Sequence, residues 1–193
     1  MISLDYEIIA DIIEPGAKVL DLGCGDGALL ALLKEKKKCR GTGIEIDVKE
    51  AVRAMERGVS VAQGDLGRDL EVYGEKRFDY VILNESLQQV LDIEKVLDAA
   101  LRIGKHVIVG IPNFCQFGAR FQLFFLGRVP VTGALPFKWY NTPNLRFLSL
   151  KDFRFFCLEK GVTIEKARYL VQRKEVWFFP NLFAEAGIFV LRK

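Results

Sequence analysis

The stretch Val19-Leu20-Asp21-Leu22-Gly23-Cys24-Gly25-Asp26-Gly27 decides the fold of this chain. It is an apolar strand that runs into a loop with glycines at alternate positions, and the helix-forming run Ala28 to Lys36 follows. Glycines lack the Cβ atoms that would block a ligand, and the start of a helix offers N–H groups and partial positive charge. The stretch therefore predicts a strand, a ligand-binding loop and a helix, with an anionic ligand end at Gly23 to Gly25.

Short apolar runs alternate with longer amphipathic stretches along the rest of the chain. The runs are Lys18 to Leu22, Gly41 to Ile46, Val59 to Ala62, Phe78 to Leu83 and His106 to Ile111. This alternation is typical of βαβ units and a parallel sheet. Thr163 to Val171 and Ala186 to Leu191 predict an antiparallel pair, because their connection is too short for a parallel crossover. We expect an α/β, Rossmann-like fold with a mostly parallel seven-stranded sheet, an antiparallel C-terminal strand and helices on both faces.

Length and charge indicate one domain without a nucleic-acid partner. The chain has 193 residues, half of them hydrophobic, which suits one core, so residues 1–193 are expected to form a single domain with an elaboration at 112–148. A net charge of +3 is too small to imply nucleic acid. The basic run Lys34 to Arg40 follows a helical stretch, where cations complement the helix dipole.

Cysteine spacing and hydropathy indicate in which cellular compartment the protein is expected. The cysteines at 24, 39, 115 and 157 form no C-x-x-C pair and have no histidine nearby, so neither a disulfide framework nor a metal site is expected. Free thiols suit a reducing cytoplasm. No run approaches the roughly 18 uncharged apolar residues of a membrane span, and Asp5 and Glu7 stand where an export signal is basic. We expect a cytoplasmic protein that does not span a membrane.

The end of the second strand indicates which ligand the glycine loop binds. Glu45 follows the loop by about twenty residues, where an acid contacts a ribose diol in nucleotide-binding α/β units. The dinucleotide fingerprint is G-x-G-x-x-G, but here the third glycine comes one residue earlier. Asp21 would repel a pyrophosphate and suits the ammonium group of a methionine moiety. The spacing favours S-adenosylmethionine, or its product S-adenosylhomocysteine.

Later strand ends add further contacts. Asp65 and the main-chain N–H of Leu66 suit adenine, and Asn84 and Glu85 follow the fourth strand, where the methyl group would lie. The candidate ligand residues are Asp21, Gly23, Cys24, Gly25, Gly27, Glu45, Ile46, Asp65, Leu66 and Asn84. Singly, the glycines could serve a turn, Asp26 and Asp65 could be caps, and Asn84 or Ser86 could begin a helix. Asp21, the three glycines and Glu45 together favour ligand binding.

No catalytic residue is predicted. His106, the single histidine, opens the fifth strand away from the carboxyl-end crevice, so we interpret it as structural. No Ser-His-Asp or Cys-His arrangement can be built around it. Methyl transfer can proceed by proximity and orientation alone, so the lack of a base leaves open whether the protein is an enzyme.

The elaboration at 112–148 is rich in aromatic residues. Between Asn113 and Leu126, apolar side chains recur near helical spacing, and most are expected to pack in the core. Three prolines then predict a loop over the pocket edge, namely Pro130, Pro136 and Pro143. Its aromatic residues suit a substrate lid or a partner surface, unless Trp139 and Tyr140 simply roof the core.

These residues resemble the MetW family of methionine biosynthesis proteins, from about Tyr6 to the end. The segments Val19 to Gly27 and Gly43 to Asp47 are common to many methyltransferases. The specific part is Pro112-Asn113, Arg120, Gln122-Leu123, Gly127-Arg128, Pro130-Val131-Thr132, Leu135-Pro136, Trp139-Tyr140, Thr142-Pro143-Asn144, Asp152-Phe153 and Pro180-Asn181-Leu182-Phe183. The sequence departs from the family at Asn84-Glu85-Ser86, where a Ser-Gln-Thr type is more usual.

The resemblance implies a class I methyltransferase fold and a partner, homoserine O-acyltransferase, whose acylation of homoserine the protein would support. Bound S-adenosylmethionine, the downstream product, could regulate that partner. The alternative is an S-adenosylmethionine-dependent small-molecule methyltransferase with an unknown acceptor. Exposed apolar residues at Trp139 and Tyr140 would favour a protein interface, and a closed cavity beside Asn84 an enzyme.

Overall fold

A computed structural model describes residues 3–193, which form one α/β unit around a central sheet. Within that range the strands are β1 (Lys18–Leu22), β2 (Arg40–Glu45), β3 (Ser60–Gln63), β4 (Phe78–Asn84), β5 (Gly104–Pro112), β6 (Thr163–Val171), β7 (Lys174–Glu175) and β8 (Ala186–Arg192). The helices there are α1 (Leu4–Ile12), α2 (Ala28–Lys37), α3 (Val48–Glu56), α4 (Ile93–Ile103), α5 (Phe117–Leu126), α6 (Leu150–Glu159) and α7 (Pro180–Phe183). No helix in this range is long and apolar enough to cross a membrane.

The strand order is β3-β2-β1-β4-β5-β8-β6-β7. Strands β1 to β5 pair in parallel, and β8 runs antiparallel between β5 and β6, which confirms the mostly parallel sheet and the antiparallel C-terminal pair. Over the described residues, the sheet has one strand more than the seven expected, namely the two-residue β7, which pairs with the end of β6. An ion pair between Arg168 and Glu175 holds this short pair together, a cross-strand contact that strand periodicity did not reveal.

The core has two apolar layers, one on each face of the sheet. Alternate residues of a strand point to opposite faces. In β4, Val81 and Leu83 therefore belong to the layer under α4 and α6, whereas Ile82 belongs to the layer under α1 and α2. Since helices cover both faces, the carboxyl-end edge of the sheet is left for a ligand.

The structure shows the positions of two sets of charged residues that the sequence singled out. Lys34, Lys36 and Lys37 lie in the last turn of α2, where they complement the helix dipole. His106 lies near the start of β5, with its Nδ1 atom 2.8 Å from a carboxylate oxygen of Glu165 on β6. It thus lies at the opposite edge of the sheet from the carboxyl ends.

The expectation that the aromatic stripe of α5 packs in the core is wrong. Ala119 is the buried residue of this helix, whereas Phe121 and Phe125 are exposed and Phe124 is 83% exposed. The physical reason is that other helices already cover both faces of the sheet, so α5 projects beyond them. Helical periodicity identifies an apolar face, but it does not say what that face contacts.

Asn113 anchors this elaboration to the end of the chain. Its side-chain Nδ2 donates to the carbonyls of Asn181 at 3.1 Å and Ala184 at 2.8 Å, and its Oδ1 accepts from the N–H of Cys115 at 3.1 Å. The residue is fully buried. Its hydrogen bond to the Ala184 carbonyl is buried, and those with Asn181 and Cys115 are partly buried.

We expect Asn113→Ala to lower the free energy of unfolding by about 1–3 kcal/mol, because the buried carbonyl of Ala184 loses its donor. Urea titration followed by circular dichroism measures this. The exposed Gln63→Ala is the control and should change stability by less than about 0.5 kcal/mol. Equal stability of the two variants would show that Asn113 is not an anchor.

Candidate functional site

A cleft of about 750 Å³ lies beyond the carboxyl ends of β1 to β4. This is where parallel α/β sheets bind their ligands. Of the residues proposed from sequence, the cleft is lined by Gly23, Gly25, Glu45, Ile46, Asp65, Leu66 and Asn84. Residues that lie far apart in the chain, after four different strands, are thus brought to one cavity.

Three proposed residues lie behind the cleft wall. Asp21 is 3% exposed, and Cys24 is buried with its Sγ in the space that a Cβ on Gly43 would occupy. Gly27 has a φ of +73°, and a Cβ on it would lie 2.8 Å from that of Ala54 on α3. Cys24 and Gly27 therefore pack the loop against its neighbours, and Asp21 lies buried beneath the loop without lining the cleft.

The main-chain N–H groups of the glycine loop are used within the chain. Gly23 and Cys24 donate to the carbonyl of Ile44 at 2.8 and 3.1 Å, and Gly25 donates to the Glu45 carboxylate at 2.8 Å. These three N–H groups are therefore already paired within the chain, and the position of an anionic ligand end at Gly23 to Gly25 stays a prediction. A Cβ built on Gly25 meets nothing within 4 Å, so this part of the loop offers a ligand room for close approach.

Glu45 is fixed by both of its carboxylate oxygens. Oε2 accepts from the Gly25 N–H at 2.8 Å, and Oε1 accepts from the Asp47 N–H at 2.9 Å. A carboxylate oxygen has two lone pairs, so each keeps capacity for a further hydrogen bond. Glu45 is thus oriented in the cleft wall before any ligand arrives, with acceptors suited to a diol.

Burial sets the protonation of two groups behind the wall. It raises the pKa of the Asp21 carboxyl to about 7, and the nearby Glu45 adds to the shift. Burial, followed by the charges of Asp21 and Glu45, raises the pKa of the Cys24 thiol to about 12. Cys24 therefore stays protonated at neutral pH and is no nucleophile.

Helix α1 contributes acidic groups to the site that sequence reasoning missed. Asp5 accepts a hydrogen bond from the Asn84 amide at 2.7 Å, although 79 residues separate them. Burial and then the charge of Asp5 raise the pKa of the Glu85 carboxyl, and Glu85 has a left-handed φ of +56°. Burial and the surrounding carboxylates also raise the pKa of Tyr6. No local pattern in α1 could have revealed these contacts.

The aromatic loop stands apart from the cleft. Residues 127–144 do not line it, and the chain returns to its border through the N–H of Leu145, which donates to the Gln88 carbonyl at 3.0 Å. Trp139 and Tyr140 are 73% and 63% exposed. The loop is therefore no roof over the cleft, and these residues form exposed apolar surface instead of a closed cavity beside Asn84.

The strand order, the antiparallel β8 and the position of the cleft define a class I methyltransferase fold. A structure from Thermotoga maritima, described as an S-adenosylmethionine-dependent methyltransferase and possible histamine N-methyltransferase, is 20% identical with a TM-score of 0.69, covering 98% of this chain and 88% of that one. A TehB-like methyltransferase from Corynebacterium glutamicum is 18% identical with a TM-score of 0.68, covering 100% and 89%. The [4+2]-cyclase SpnF is 17% identical with a TM-score of 0.71, covering 97% and 80%. At these identities the likeness shows the fold alone.

The chain belongs to the MetW family, because the family model for methionine biosynthesis protein MetW matches residues 3–191. The bifunctional methionine biosynthesis protein MetXA/MetW of Rhodopirellula baltica is 34% identical over 205 residues. That alignment covers 100% of this chain and 33% of the relative, so the chain spans about a third of the relative's length. The family expectation from sequence is confirmed.

The raised pKa of Asp21 predicts a pH-dependent stability. Because the pKa rises from 3.8 to about 7 on folding, the folded protein retains a proton that the unfolded chain loses. This residue's contribution to stability is therefore complete below pH about 4 and is lost as the pH rises through about 7. Asp21→Asn removes the titration, so its stability relative to wild type should be roughly 2–4 kcal/mol greater at pH 8 than at pH 4.

Urea titrations of both proteins across this pH range, without ligand, measure the difference. Asp11→Asn, at an exposed position of α1, is the control and should show no such trend. A pH-independent difference between Asp21→Asn and wild type would contradict the protonation assigned to Asp21.

Proposed function

We propose that this protein binds S-adenosylmethionine or S-adenosylhomocysteine in the cleft and supports or regulates homoserine O-acyltransferase by forming a complex with it. The observation that carries the complex is the exposure of the aromatic loop and of α5. The four cysteines are free thiols, which suits the cytoplasm, where we place this activity.

The aromatic surface, as we call it, comprises Phe121, Phe124, Phe125, Trp139 and Tyr140. All five are exposed. Their rings contact one another at tilted or edge-to-face angles in two groups, which are Phe121, Phe124 and Phe125 on α5 and Trp139 with Tyr140 on the loop. Large aromatic residues are enriched in the centres of protein interfaces, and exposed apolar patches of this kind mark interaction sites. A partner protein that covers these rings would remove them from water.

The fused relative supports the identity of the partner. Its name assigns MetXA and MetW to one chain, of which the present chain matches about a third. Fusion holds two units at a high effective concentration, an arrangement that favours units that work together. The resemblance to the MetW family implies that the partner of the present chain is a homoserine O-acyltransferase.

The chemistry of the cleft fits a cationic adenosyl ligand. Glu45 offers preoriented acceptors to a ribose, and Asp65 and Leu66 lie at the next strand end, where adenine would be held. Glu85 lines the cleft, and Asp21 lies buried behind it. Burial raises the pKa of both carboxyls, and a sulfonium or ammonium charge nearby would favour their ionised forms. When bound, S-adenosylmethionine supplies a transferable methyl group. The aromatic loop does not wall the cleft, so we favour regulation over methyl transfer to a small acceptor.

We expect wild-type protein to bind S-adenosylhomocysteine in isothermal titration calorimetry and Glu45→Gln to bind it about tenfold more weakly. The reason is that the amide has one acceptor oxygen where the carboxylate has two. Glu50→Gln on α3, whose side chain pairs with Arg53, is the matched control and should bind as wild type does. Failure of the wild type to bind either adenosyl compound would overturn the ligand half of the proposal.

The complex is tested by co-purification with the cognate acyltransferase and by homoserine acylation, with and without S-adenosylmethionine. We expect the protein to raise the acylation rate or the yield of active acyltransferase. The double variant Trp139→Ala and Tyr140→Ala should weaken binding at least about tenfold, because exposed aromatic anchors dominate interface energies. It should keep its affinity for S-adenosylhomocysteine.

Met55→Ala provides the control for this surface, since Met55 is an exposed apolar residue on α3. It should leave the complex unchanged. If neither co-purification nor a change in acylation is seen with wild-type protein, the accessory role is refuted, and a screen of methyl acceptors becomes the next step.

A further inference from the structure

A second cavity, separate from the adenosyl cleft, opens between α6, β6 and α7. Its volume is about 790 Å³, within the range of small-molecule sites. Its floor is apolar and includes Val162, Ile164 and Leu182. Neither the adenosyl ligand nor the aromatic surface accounts for it, because it shares no residue with either. We call it the α6 groove.

The charges around the α6 groove are all positive. Arg120, Lys151 and Arg154 line it, and none of its lining residues is an aspartate or glutamate. Within residues 3–193, none of these three cations forms an ion pair with a carboxylate. Three cations beside an apolar floor, without a counter-charge, are complementary to an anion that carries an apolar body.

The two guanidinium groups are held in place by neutral partners. Arg120 Nε donates to the Cys115 carbonyl at 2.6 Å, and Arg154 Nη1 donates to the Tyr169 hydroxyl at 3.0 Å. Asn181 accepts the main-chain N–H of Lys151 at 3.0 Å and so joins α7 to the start of α6. A guanidinium has five N–H donors, so Arg154 keeps most of its capacity for a ligand while its direction is fixed.

We propose that the α6 groove binds a small amphipathic anion, with a carboxylate or phosphate at Arg120, Lys151 and Arg154 and an aliphatic or aromatic body on the apolar floor. The volume of about 790 Å³ and the three cations beside apolar lining residues favour a small molecule that carries both an anionic group and an apolar body. Binding here does not depend on the adenosyl ligand or on the acyltransferase.

Decanoate, used well below its micelle-forming concentration, is the probe in isothermal titration calorimetry with the full chain. Decyltrimethylammonium has the same chain and the opposite charge. We expect decanoate to bind with one site and the cation to bind at least about tenfold more weakly. Binding of both with equal affinity would show that the groove is only an apolar surface and would overturn the proposal.

Substitutions of opposite charge at one exposed position test whether decanoate binds in the α6 groove. Leu158 lines the groove and is 73% exposed, so Leu158→Glu and Leu158→Lys should both fold. We expect Leu158→Glu to weaken decanoate binding about tenfold or more and Leu158→Lys to keep or strengthen it. Arg154→Gln should weaken it, whereas Lys166→Gln, at an exposed position of β6 outside the groove, should not.

Equal decanoate affinity in the two Leu158 variants would place any binding elsewhere and overturn the proposal. Failure of decanoate to bind to wild type would also overturn it, and if Leu158→Glu then abolishes association with the acyltransferase, the groove is a protein contact. Loss of adenosyl binding or of the complex through other residues leaves these outcomes unaffected.

Discussion

The site depends on the hydrogen bonds that fold the glycine loop onto the end of β2. The carbonyl of Ile44 accepts from Gly23 and Cys24, and the next residue, Glu45, accepts from Gly25. One strand end therefore satisfies three successive N–H groups of the loop, which would otherwise be costly to hold away from water. The same contacts orient the Glu45 carboxylate. At Gly23 to Gly25 the loop thus positions an acid, while its own N–H groups there are already paired.

This arrangement brings several carboxyl groups close together in a partly buried part of the site. Asp21 lies beneath the wall, and its carboxyl resists ionisation because water is excluded and Glu45 is near. At the end of β4, burial and the nearby Asp5 likewise raise the pKa of the Glu85 carboxyl. No cation within residues 3–193 forms an ion pair with Asp21, Glu45 or Glu85. A cationic ligand would relieve this repulsion, which links the electrostatics of the fold to the proposed sulfonium compound.

The sequence was sufficient for the sheet and most of the cleft because those features depend on local pattern. The alternation of apolar runs predicts parallel strands, and residues that follow parallel strands must meet at one edge, so Gly23, Glu45, Asp65 and Asn84 could be placed together. The contact of Asp5 with Asn84 could not be predicted, since it depends on how α1 crosses the sheet. The apolar face of α5 was recognised, but its exposure was not, because periodicity is the same for a face that meets the core and one that meets a partner.

The segment between β4 and α4 touches both the cleft and the chain that carries the aromatic surface. Ser86, Gln89 and Val90 line the cleft, while the Gln88 carbonyl accepts from Leu145 and the Val90 carbonyl accepts from Arg146 at 2.5 Å. The hydroxyl of Ser86 is buried without a hydrogen-bond partner within residues 3–193, so it is a polar group that a bound ligand could satisfy. A ligand that changes the position of this segment would also move residues 145 and 146, where the aromatic loop rejoins the core. Regulation of a partner requires that the ligand interact differently with two arrangements of the protein. In this segment, contacts with the cleft and contacts with residues 145 and 146 lie within a few residues of each other.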